Sequence, residues 1–117
     1  MKNDDALGSR LSKLGSTRHW EYVARATHGV LDSVATTAKE LRWAVFHRRV
    51  EGIPAELQPF VGKVSDHAYK VTDEDVESLK RAGYSEDAIF EITAAAALGA
   101  ALTRLERGLI ALHESRS

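Results

Sequence analysis

The chain has 117 residues, 44% hydrophobic and 28% charged, the balance of a folded globular protein with room for one domain. Sixteen Lys and Arg against 17 Asp and Glu leave a formal net charge of -1, without the basic excess that draws a protein to phosphate backbones or anionic membranes, so neither nucleic acid nor a membrane is an expected partner. No cysteine is present, which excludes thiol chemistry, disulfides and sulfur-ligated metals.

The opening Met1-Lys2-Asn3-Asp4-Asp5 lacks the apolar stretch of a secretory signal. The most apolar run, residues 92–102, is 11 residues long, short of a bilayer span. A cytoplasmic location is the expectation. Two prolines and no Asn-Gly or Asp-Gly pair leave little hairpin punctuation, while apolar residues recur at three- and four-residue steps. The pattern predicts an all-α domain of about five to six helices over residues 17–117. The first 16 residues, with Gly8, Ser9, Gly15 and Ser16 around Leu7, Leu11 and Leu14, read as a loose helix or a mobile tail.

From Trp20 the series Ala24, Thr27, Leu31, Val34, Ala38, Leu41 and Val45 keeps one helical stripe facing a partner. Gly29 and the polar cluster Ser33, Thr36 and Thr37 interrupt it, and Thr37 with Glu40 has the spacing of a capping box. Two helices are therefore expected, over 18–34 and 37–50. Gly52 and Pro54 stop the second, and a short helix follows near 59–70, with Pro54 or Pro59 suited to a first turn.

Thr72 caps a helix that starts at Asp73, with Asp75 three residues on and acidic side chains in the first turn, where the helix dipole favours them. Val76 and Leu79 face inward. Gly83 ends this helix in a left-handed conformation, and Ser85 caps the next, which opens with Glu86 and Asp87. That last helix, over 86–113, would be about 40 Å long. Its middle, residues 92–102, is rich in alanine and apolar on nearly every side, so it must be covered nearly all round, and a second subunit is one way to do it. Its alanines and Gly99 also let neighbouring helices approach closely.

Candidate chemistry is sparse. His19, His28, His47, His67 and His113 share no i, i+3 or i, i+4 spacing that would aim two imidazoles at one metal, so no metal site is expected. His67 stands out because Asp66 and Tyr69 lie beside it, and a histidine with a carboxylate partner serves as a general base. Glu91 borders the apolar middle of the last helix, where burial would raise its pKa; the alternative is an ion pair holding helices together. Arg104 is a candidate anion holder, 13 residues beyond Glu91 and too far along the helix to pair with it. His47-Arg48-Arg49 reads as a solvated helix end, or as a carboxylate site. No glycine-rich phosphate loop, nucleophile elbow or Walker motif appears, and no cofactor is expected.

Residues 71–79 (Val71-Thr72-Asp73-Glu74-Asp75-Val76 through Leu79), then Ala82-Gly83-Tyr84-Ser85-Glu86-Asp87-Ala88-Ile89-Phe90-Glu91, the alanine run 94–102 and Arg104 together resemble the carboxymuconolactone decarboxylase and alkylhydroperoxidase D-like family. The likeness is strongest over residues 71–112, and Glu40-Leu41-Arg42-Trp43-Ala44-Val45 resembles a helix that precedes the family's active site. The resemblance implies an all-helical fold and obligate association, as trimers or hexamers. Redox members carry a Cys-x-x-Cys pair followed by a His. With His67 laid on that His, the cysteine positions fall at Phe60 and Lys63. No side chain here can form the sulfenic acid and disulfide of a dithiol peroxidase cycle. The decarboxylase branch needs no thiol, and His67, Tyr69 and Glu91 would supply its proton donor, hydrogen bond and base, with His47 or Arg104 holding a carboxylate. The expectation is a homo-oligomer without peroxidase activity that binds a small molecule or serves a structural role, with a decarboxylase-type enzyme as the alternative.

Overall fold

A computed structural model describes residues 17–115, and the side chains from residue 21 onward. The expected loose segment at 1–16, and the side chains of His19 and Trp20, lie outside the described residues. Five α-helices follow in chain order: α1 (Thr17–Asp32), α2 (Lys39–His47), α3 (Gln58–His67), α4 (Asp73–Arg81) and α5 (Glu86–Ser115). Single 3-10 turns occupy Val50–Gly52, Ala55–Leu57 and Ala68–Lys70, and no strand occurs among the described residues. The fold is all-α, as the periodicity predicts.

By its internal packing the chain divides into two units, one comprising residues 34–100 and the other the flanking segments up to Ser33 and from Ala101. In the flanking unit, Thr27 and Leu31 of α1 are fully buried, and the Thr27 hydroxyl donates to the Val23 carbonyl at 2.8 Å, one turn back. Val34, expected on the same inward stripe, is instead fully exposed, because α1 ends at Asp32 and the helical stripe does not continue to it. On the α5 segment of this unit Leu102 is buried, whereas Leu105, Ile110 and Leu112 are exposed.

The central unit holds α2, α3, α4 and the first half of α5. Trp43, Val45, Leu57, Val61, Ile92 and Ala95 are among its buried side chains. Trp43 meets Phe46 edge-on at 5.5 Å, a favoured aromatic geometry. Gly99 is required here by space: a Cβ added to it would overlap the backbone carbonyl of Phe46, so α5 lies against the end of α2 more closely than alanine permits.

The capping chemistry around α4 follows the sequence signals. Thr72 Oγ1 accepts from the Asp75 amide at 3.2 Å while the Asp75 carboxylate accepts from the Thr72 amide at 2.9 Å, a reciprocal capping box. At the other end Gly83 has φ +105°, its amide donates to Lys80 at 3.0 Å and the Tyr84 amide donates to Leu79 at 3.1 Å, closing a Schellman motif. Ser85 Oγ then accepts from the Ala88 amide at 3.1 Å to start α5.

The start of α2 differs from expectation. Ala38 occupies its N-cap position with no side-chain hydrogen bond, and no Thr37–Glu40 box forms, because the Thr37 hydroxyl is committed elsewhere. At its other end Arg48 adopts φ 55° and ψ 41°, the left-handed conformation usually left to glycine.

Helix α5 has 30 residues and is about 45 Å long. The run 92–102 alone is short of a bilayer span, but Ala88, Ile89 and Phe90 extend it past Glu91, and the whole helix is long and apolar enough to cross a membrane. Of its most apolar 18 residues, 39% are buried in the fold. Ile92, Ala95, Ala96 and Leu102 give it a core face, while Ala97 and Ala101 are exposed and Phe90 is 72% exposed. The middle of the helix is apolar on nearly every side and covered only in part.

Candidate functional site

Glu91 projects from the second turn of α5 toward the segment that precedes α2. Its carboxylate accepts the Thr37 hydroxyl at 2.6 Å, the Thr37 amide at 2.8 Å and the Thr36 amide at 3.0 Å. Desolvation pushes its pKa up, but the Thr37 hydroxyl and the two amides outweigh this and hold it below the ordinary carboxylate value. The expected upward shift is thereby corrected in sign: a carboxylate that saturates three donors is a structural clamp and a poor base at neutral pH.

His67 closes α3 and is exposed, its ring meeting the Tyr69 ring edge-on at 6.0 Å. Tyr69 is itself 81% exposed, with the Lys70 ammonium 5.9 Å from its ring centre. Asp66, expected as the carboxylate partner of His67, pairs instead with Arg48 at 2.8 Å. The structure thus brings His67 and Tyr69 together at the surface, while Glu91 is engaged with Thr36 and Thr37. His47 is half-buried, stacked on Trp43 at 5.6 Å and edge-on to Phe46 at 4.9 Å, packed as an aromatic side chain. Arg104 is exposed on the α5 segment of the other unit.

Phe60 and Lys63, the positions laid on the cysteine pair, are both committed to the fold. Phe60 is buried in the core of the central unit. Lys63 reaches across to α4, its ammonium 2.9 Å from each oxygen of Asp75. Lys63, followed by the Thr72 amide, lowers the pKa of Asp75, so one carboxylate both caps α4 and ties it to α3. A second tie joins Tyr84, in the turn between α4 and α5, to Glu56 at 2.6 Å. Burial first, and then the Glu56 bond, push the Tyr84 phenol up to about 12.

Neither tie is visible in the sequence, since the partners lie 12 and 28 residues apart without a shared periodicity. An open depression of about 480 Å³ was also missed; Glu40, Leu41 and Ala44 of α2 and Arg49, Glu51, Gly52 and Pro54 of the following segment line it. Among the described residues, no group of three or more His, Asp or Glu side chains is placed to hold a metal ion. Compared with models of protein families, with curated proteins and with solved structures, the chain finds no match in any of the three.

Proposed function

We propose that the chain is a cysteine-free member of the carboxymuconolactone decarboxylase and alkylhydroperoxidase D-like superfamily, without thiol peroxidase activity, that works in the cytoplasm as a homo-oligomeric binding or structural protein. The reading draws on the sequence likeness over residues 71–112 and on the all-α fold with its long final helix. The observation that carries it is the state of the would-be reactive residues: Phe60 is core, Lys63 is paired with Asp75, and Glu91 is saturated by Thr36 and Thr37. Such a site has been filled in with packing and ion pairs. Association as a trimer or hexamer would cover the apolar side chains that α5 leaves exposed, Phe90, Leu105 and Leu112 among them.

A second reading, a cofactor-independent decarboxylase-type enzyme, is favoured by one contact, that of His67 with Tyr69. Assays of the purified protein for thiol-dependent peroxide reduction and for decarboxylation of a lactone acid separate the two. The first reading expects no turnover in either. Lactone-acid turnover that is lost in His67→Ala would replace it with the second.

A further inference from the structure

The depression on the central unit is open to solvent, and apolar and charged side chains both line it. Its apolar lining is Leu41 and Ala44 of α2 and Pro54. Its rim carries two carboxylates, Glu40 and Glu51, and one guanidinium, Arg49. Among the described residues none of these three charged groups has a side-chain hydrogen-bond or ion-pair partner, so each is available to a ligand. A volume of about 480 Å³ falls within the range of pockets that take small molecules.

The backbone that presents the rim is held in place. The Arg49 amide donates to Ala44 at 2.9 Å, the Gly52 amide to Arg49 at 2.9 Å and the Ile53 amide to Val50 at 3.0 Å. The Gln58 amide group donates to the Ile53 carbonyl at 2.9 Å. Gly52 lies so close to α2 that a Cβ added to it would stand 2.9 Å from the Ala44 Cβ, inside contact distance. The segment is therefore seated on α2 in one arrangement, and a ligand entering here need not order it first.

We propose that this depression binds a small aliphatic amino acid whose ammonium and carboxylate are separated by a methylene chain, the ammonium taken by Glu40 and Glu51, the carboxylate by Arg49 and the chain by Leu41, Ala44 and Pro54. An amine alone would leave the Arg49 guanidinium beside a second positive charge. A carboxylate alone would face two like charges for one partner. A molecule bearing both charges gives each of the three groups a partner, since Arg presents paired donors to a carboxylate while the glutamates accept from an ammonium. The site stands independently of the ancestry proposed above, because none of its residues belongs to the Phe60, Lys63 and His67 set.

The test is a titration of the full chain, followed by amide chemical shifts in NMR, with three probes of equal chain length: 6-aminohexanoate, hexylamine and hexanoate. Saturable shifts centred on residues 40–54 are expected with 6-aminohexanoate, and binding about tenfold weaker with either single-charge probe. Glu40→Gln with Glu51→Gln, and separately Arg49→Gln, should each weaken 6-aminohexanoate about tenfold. All three side chains are exposed, so the variants should keep the parent circular dichroism and melting curve. No saturable shift at about 50 mM probe, equal binding of hexylamine, or variants that bind like the parent would each overturn the proposal.

Discussion

The Glu91 carboxylate and the Thr37 hydroxyl, 54 residues apart in sequence, meet at 2.6 Å, and the Thr37 amide joins the same carboxylate at 2.8 Å. This contact ties the segment before α2 to α5. Glu91→Ala leaves those donors without their acceptor and should destabilise the protein by about 2–3 kcal/mol in urea unfolding, with Thr37→Val costing about 1 kcal/mol. A Glu91→Ala midpoint equal to the parent's would remove the clamp from the account.

The same contact has a pH signature. Glu91, Asp75, Glu56 and Glu86 all have pKa values lowered in the folded state, by hydrogen bonds at Glu91 and by Lys63, Tyr84 and Lys80, respectively, at the other three. Their stabilisation is complete above the unfolded carboxylate range of about 4 and is lost as pH falls through the lower folded values. Melting temperature should therefore be flat near neutrality and drop below about pH 4, and Glu91→Gln should shallow that drop.

Tyr84 carries the opposite sign. With its phenol raised to about 12, its bond to Glu56 persists up to the unfolded tyrosine value of about 10 and is lost as pH rises through the folded one. Ultraviolet titration should show a phenolate forming near 12 that is missing in Tyr84→Phe and shifts down in Glu56→Gln.

Gly99→Ala and Gly108→Ala form a matched pair on α5. The first drives a methyl into the Phe46 carbonyl, with an expected cost of about 3 kcal/mol or a displaced helix. The second meets nothing within 4 Å and should stabilise by about 0.5–1 kcal/mol through helix propensity. Thermal unfolding of both variants checks the sign of each.

Arg48 holds a left-handed backbone and an ion pair with Asp66 whose two side chains are about half exposed. Exposed pairs contribute about 0–1 kcal/mol, and the left-handed strain costs about 1–2 kcal/mol. Arg48→Gly should therefore leave the protein equally or slightly more stable in urea, and Asp66→Asn should move it by less than about 1 kcal/mol.

What could be read from the sequence was what short-range chemistry writes. Thr72, Asp75, Gly83 and Ser85 mark the ends of α4 and the start of α5 because each acts on backbone groups within five residues. Thr37 misled for the same reason: its spacing to Glu40 suits a cap, but a distant carboxylate with two acceptor oxygens took its hydroxyl. Asp66 likewise turned to Arg48, 18 residues back, and left His67 to Tyr69. The depression could not be read because its shape depends on how closely Gly52 sits on Ala44.

The central claim, a filled-in fold that works by association, is tested most directly by the mass of the purified protein in solution, measured by light scattering at micromolar concentration. Three or six times the chain mass of 12.9 kDa is expected. A single species of one chain mass would contradict it.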